Sequence, residues 1–184
     1  MDLIPDDKLT VIVKQNVENI QNLFAAKSGS QKSHWKVPKQ YYITCLDVQG
    51  DEDVWDESSL ADTFEDGRQV AISCPAFIFV PGRVMIALAM AGDQDIEEPC
   101  PHVTLLTNDL RERSQIAKLV RLACTRNGPF TSPYNTLKTG GKLKDDKRYI
   151  TAGVNLDRNK PPITCHFIAL PQAMELTGIT YTVY

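Results

Sequence analysis

Two side chains carry the most chemistry in this sequence: His102 and Thr104, in the run Pro101-His102-Val103-Thr104-Leu105-Leu106. The β-branched and apolar content of that run reads as a strand. Side chains at positions i and i+2 of a strand leave from the same face, so the imidazole and the hydroxyl project together. An imidazole titrates near neutrality and can pass a proton, and a neighbouring hydroxyl can donate to a phosphoryl oxygen. The chain has three histidines. His34, beside Trp35 in a polar stretch, reads as an exposed or capping residue. His166, in Thr164-Cys165-His166-Phe167-Ile168, reads as a partly buried strand imidazole, with a second reading in which it brings another imidazole to His102.

Other chemistries find no footing. There is no Gly-x-Gly-x-x-Gly, no P-loop, no His-Glu-x-x-His and no Ser-His-Asp pattern. The five cysteines (Cys45, Cys74, Cys100, Cys124 and Cys165) are odd in number and lack the two- to four-residue pairing of zinc sites. They read as free, mostly buried thiols, and neither metal nor cofactor is expected. Net charge is −3, from 20 basic and 23 acidic residues, so there is no global basic field of the kind that grips duplex nucleic acid. The charge is uneven, however. Residues 47–66 hold nine acids and no base, whereas residues 138–148 hold five bases and two acids. If phosphate is handled, the basic segment is the expected helper; otherwise it is a solvated loop.

A chain of 184 residues that is 42% hydrophobic can build one sizeable core, and 1–184 reads as a single domain. Leu9, Val13, Val17, Ile20 and Phe24 recur at helical spacing, with Asp6 and Asp7 at the start and Gly29 as a stop. A strand is expected over 41–46 and a short helix over 58–65. Two further strands, 70–74 and 76–80, lead through Pro81-Gly82 into a third, 84–88. An acidic loop over 93–98 precedes the His102 strand. Thr107-Asn108-Asp109 can cap a second long helix carrying Leu110, Ile116, Leu119, Val120 and Ala123, ended by Asn127-Gly128-Pro129. Strands are then expected over 149–154, 163–170 and 179–184. The order predicts an α+β fold.

The run Pro101 to Leu106, followed directly by a capped helix, resembles the second signature of the 2H phosphoesterase superfamily. The remainder, through Gly140-Gly141-Lys142-Leu143 and the strands to Leu170, looks most like the cyclic nucleotide phosphodiesterase and tRNA-ligase phosphodiesterase-like branches of that superfamily. The resemblance covers residues 32–172 and rests on element order more than on identities. It implies two pseudo-symmetric antiparallel-sheet lobes, flanked by helices, with two His-x-Thr/Ser signatures facing each other across a central cleft. One imidazole would activate water, the other would protonate the departing ribose oxygen, and the hydroxyls would hold phosphate. His102 and Thr104 occupy the second signature. The first falls on Tyr42-Ile43-Thr44, where Thr44 is kept and Tyr42 stands in place of histidine.

That replacement sets how much of the family's activity carries over. A phenol with a pKa near 10 is a poor general base at pH 7, and loss of one acid–base group costs about 100- to 10,000-fold in rate. Phe130 and Tyr134, near the expected cleft, could stack on a base or serve as loop anchors; Lys142 is a candidate phosphate contact. Three readings follow. The first is a degenerate domain that binds a phosphate-bearing nucleotide or RNA end with weak or no turnover. The second is an active 2′,3′-cyclic phosphodiesterase in which Tyr42 or His166 fills the gap. The third is a protein-interaction module with a disused site, its acidic stretch meeting a basic protein partner. No apolar run approaches the ~20 residues that span a bilayer, and the N-terminus lacks the pattern of a secretory signal. A cytosolic or nuclear location, with no membrane association, is therefore expected.

Overall fold

The computed structural model describes residues 2–3, 41, 43, 65–91, 96, 98–108, 113–125 and 127–180. The described elements are strands β1 (Asp2–Leu3), β2 (Gln69–Val80), β3 (Val84–Ala91) and β4 (His102–Thr107), helices α1 (Arg113–Cys124) and α2 (Thr131–Lys138), and strands β5 (Tyr149–Val154) and β6 (Ile163–Ile179). All strand pairings are antiparallel, in the order β1-β6-β2-β3-β4, with β5 also paired to β6. The fold is α+β: one antiparallel sheet and two helices. The expected first helix, the 41–46 strand, most of the 58–65 helix, His34, Tyr42 and Thr44 lie outside the described residues. Tyr41 and Ile43 are described, and Ile43 is buried in the core.

The β2–β3 hairpin follows from its turn residues. Proline presets φ at Pro81, Gly82 adopts φ +71°, and the Arg83 amide donates to the Val80 carbonyl at 3.0 Å. Those features define a type II turn, which demands a residue tolerant of positive φ at its third position. The sequence suggests separate strands on either side of Pro75, but β2 runs through it. Both of its ladders shift register there, which is where a residue without an N–H can sit inside a sheet. Opposite Pro75, β6 likewise continues past Leu170, where the sequence places a strand end. It pairs with β2 through Ala169, bulges over 170–173 around Pro171, and resumes pairing at Met174. Arg148 fastens the bulge: its carbonyl accepts from the Ala169 amide at 2.7 Å and its guanidinium donates to the Leu170 carbonyl at 3.2 Å. β6 ends at Ile179, so the strand expected over 179–184 is not seen in the described part of that stretch, and 181–184 lie outside it.

The two faces of the sheet bury different sets of side chains. One packs Ile72, Phe77, Phe79, Met85, Val103 and Leu105 with Ile43. The other packs Ile78, Ile86, Leu88, Cys165 and Phe167 beneath the helices. On α1 the residues Ile116, Leu119, Val120, Ala123 and Cys124 recur at helical spacing and are buried, while Arg121 and Leu122 face outward. After α1 the chain turns so tightly that a Cβ on Gly128 would collide with the Leu122 and Ala123 carbonyl oxygens, so glycine is required there. Helix α2 was not foreseen from the sequence; Pro133 fits it because proline in a first helical turn loses no hydrogen bond. Phe130 anchors its start against Phe167, with ring centroids 5.5 Å apart.

Candidate functional site around His102 and Thr104

β4 is the terminal strand of the described sheet order, and His102 opens it. Residues directly opposite on paired strands share a face. His102 is opposite Leu88 and Thr104 opposite Ile86, both of which belong to the cluster under the helices. The expected shared face is therefore present, and it is the helix-covered one. Val103 and Leu105 are fully buried on the other side, whereas His102 and Thr104 are both half-buried.

The imidazole is held in one orientation. Its Nδ1 lies 3.0 Å from the Cys100 carbonyl oxygen, an acceptor, so Nδ1 carries the proton and Nε2 is left with its lone pair. Nε2 has no partner among the described residues, nor has the Thr104 hydroxyl. Burial holds the His102 pKa below its ordinary value, with Arg121 pushing the same way and the Cys100 carbonyl and Glu98 opposing. The ring is neutral at pH 7 and Nε2, with its lone pair, is the basic nitrogen.

The segment that leads into β4 is clamped from both helices. Glu98, only 6% exposed, accepts two hydrogen bonds from Arg121 of α1, Nε to Oε1 at 2.8 Å and Nη2 to Oε2 at 2.6 Å. Those bonds keep the Glu98 carboxyl below the usual carboxylate range. The Tyr134 hydroxyl of α2 donates to the Pro99 carbonyl at 3.3 Å. Beneath them the Cys124 thiol is pushed far up by its hydrogen bond to Cys100 and by burial, so it remains protonated. Cys165 and Cys74 are each pushed up to about 12, burial being the main cause. The four described cysteines are free and buried, as the sequence suggests. Among the described residues no group of His, Cys, Asp or Glu is arranged to hold a metal ion, and no described helix is long and apolar enough to cross a membrane.

The structure corrects the roles read for Phe130, Tyr134 and His166, and it places Lys142. Phe130 and Tyr134 are 0% and 2% exposed, so neither ring offers a face to a base. They are core residues that brace α2 under the sheet, and their aromatic character serves packing. Lys142 is exposed in the loop after α2 and makes no hydrogen bond or ion pair among the described residues; nothing there joins it to His102. From the basic stretch it is Lys138 whose charge is felt at Cys100. His166 cannot complete a pair with His102. It is opposite Phe79 on the other face of the sheet, three strand spacings away, about 14 Å across. There its Nδ1 lies 2.9 Å from the Thr151 hydroxyl and 3.0 Å from that of Tyr149, and the ring stacks on Phe79 and Tyr149.

No family model and no curated protein matches the chain. The site therefore has to be read from its own geometry. Glu98 and Arg121 are the members that the sequence reading passed over. Glu98 was one acid of a loop and Arg121 one polar position of a helix, 23 residues apart, and only the fold brings them together. A faint signal was present in the two-residue spacing of Glu98, Cys100 and His102.

Proposed function

We propose that this is a degenerate 2H-phosphoesterase-like domain that binds a phosphate-bearing nucleotide or RNA end at His102 and Thr104, with weak or no turnover. The carrying observation is that His102 and Thr104, on one face of one strand, are both half-buried, and that His102 Nε2 and the Thr104 hydroxyl have no partner among the described residues. A phosphoryl group bridging them would accept from the hydroxyl, and it would accept from the imidazole once Nε2 takes up a proton. The Cys100 carbonyl fixes which nitrogen is offered.

Catalysis of cyclic-phosphate opening needs a base for water and an acid for the leaving ribose oxygen. His102, neutral and with Nε2 free, suits the first task, and this favours as second reading an active 2′,3′-cyclic phosphodiesterase in which Tyr42 supplies the proton. His166, placed on the opposite face, is removed from that role. One experiment separates the readings. The protein is titrated with 2′,3′-cyclic nucleotides and with a short RNA ending in a cyclic phosphate, while the position of the product phosphate is followed. Binding without turnover, weakened about 10- to 100-fold in Thr104→Val, is expected from the loss of one charge-assisted hydrogen bond. Turnover lost in His102→Ala would establish the enzyme instead, and absence of binding to either probe would refute both readings.

A further inference from the structure

On the flank of α1 away from Glu98, an open groove of about 1000 Å³ separates the helix from the loop that joins β5 to β6. Four bases line it: Arg83 from the β2–β3 turn, Lys118 from α1, and Arg158 and Lys160 from the loop. Among the described residues a single acid, Asp157, accompanies them, and it is already engaged by Lys160 at 4.0 Å and by the Asn159 amide at 3.0 Å. Arg83, Lys118 and Arg158 form no ion pair among the described residues. A groove of this sign stands out on a chain whose net charge is −3.

The rest of the described lining mixes the amides Gln115, Asn155 and Asn159 with the apolar side chains Leu122, Leu156, Pro161 and Ile163. Leu122 is 41% exposed and lines the groove together with Leu156 and Ile163. Among the described residues no aromatic side chain lines the groove. Single-stranded nucleic acids are gripped in basic grooves by stacking bases on aromatic rings, and that half of the device is missing. Basic groups sharing a groove with exposed aliphatic side chains match a different ligand: a peptide in which acidic residues alternate with leucine-like ones.

We infer that the α1/β5–β6 groove is a docking site for an acidic, leucine-containing segment of a partner protein. The carboxylates meet Arg83, Lys118 and Arg158, and the apolar side chains cover Leu122. This site is independent of His102 and Thr104, and the inference stands whether or not they bind phosphate.

The test uses the intact chain and fluorescence anisotropy with a labelled synthetic peptide alternating Glu and Leu. Saturable binding is expected, weakened at least about tenfold by the pair Lys118→Glu and Arg158→Glu, weakened also by Leu122→Asp, and unchanged in His102→Ala. Added salt should weaken it as well. The same peptide with Glu replaced by Gln should bind at least about tenfold more weakly to the unaltered protein, a comparison that needs no variant to fold. No saturable binding of the Glu-Leu peptide would overturn the inference. So would tighter binding of oligouridylate than of the peptide with Leu122→Asp having no effect, which would assign the groove to a nucleic-acid backbone. Equal binding of polyglutamate, insensitive to Leu122→Asp, would overturn the amphipathic partner.

Discussion

Replacing Arg121 by alanine tests how the His102 site is held. The guanidinium makes two charge-assisted bonds to Glu98, whose side chain is 6% exposed, while the arginine itself is 45% exposed. Stranding a buried carboxylate costs about 3–5 kcal/mol. Because one side of this pair is wet, water recovers part of that, and about 2–3 kcal/mol is expected. For a domain of this size that corresponds to a fall in Tm of about 4–12 °C. The sign with pH follows from Glu98, whose folded pKa lies below its ordinary value of 4.5. Its contribution is fully present above 4.5 and is lost as pH falls through the lower folded value, so the cost of Arg121→Ala should shrink on acidification. Removing Arg121 also removes a charge that depresses His102, whose pKa should rise. Denaturant titrations of wild type, Arg121→Ala, Glu98→Gln and the double variant, at neutral and acidic pH, give the stability and the coupling. An NMR titration of the His102 ring gives the second consequence. A cost under about 0.5 kcal/mol at neutral pH, or an equal cost at both pH values, would refute the clamp.

Three further outcomes are expected. Phe130→Ala should cost about 3–5 kcal/mol in denaturant unfolding and leave nucleotide affinity per folded molecule unchanged, whereas a loss of affinity without a loss of stability would restore its stacking role. Affinity for a 2′,3′-cyclic nucleotide, whose diester does not titrate near neutrality, should rise as pH falls below the bound-state pKa of His102. The rise should level off below the depressed free-state value, and it should be absent in His102→Gln; a flat profile in the wild type would remove the imidazole from binding. His166→Asn should leave that affinity within about twofold, because independent sites this far apart act additively, and a larger change would contradict its placement on the opposite face.

Much of the sheet was legible because its signals are local. Pro81-Gly82 specifies its own turn, and the alternation through Val103 and Leu105 fixes which side chains of β4 go inward. Periodicity exposed α1 for the same reason. The errors arose where a tertiary partner overrides a local breaker. Pro75 and Pro171 look like strand ends, but each is opposite a bulge in a paired neighbour, so β2 reads as two strands and β6 as ending at Leu170. Phe130 and Tyr134, in a run of turn-formers, looked available to a ligand, but the short helix they brace turns them under the sheet. At the site, the His-x-Thr pair was visible because it spans three residues. The Glu98–Arg121 clamp and the basic groove were not, since they join segments whose proximity only the fold creates.

The position of β6 has a consequence for how the chain acquires its structure. This strand lies inside the sheet, between β1 and β2, and also holds β5, yet its own residues come last among the described elements. The hairpin of β2 and β3 can close early, because its partners are neighbours in sequence. Until residues 163–179 emerge from the ribosome, though, β2 has an unpaired edge carrying buried-type residues such as Phe77 and Ile78. Such non-local closure is slow, and an open apolar edge invites pairing with other chains. A chain interrupted before residue 163 would therefore be expected to aggregate through β2, and the hazard period in synthesis ends only when the central strand is delivered.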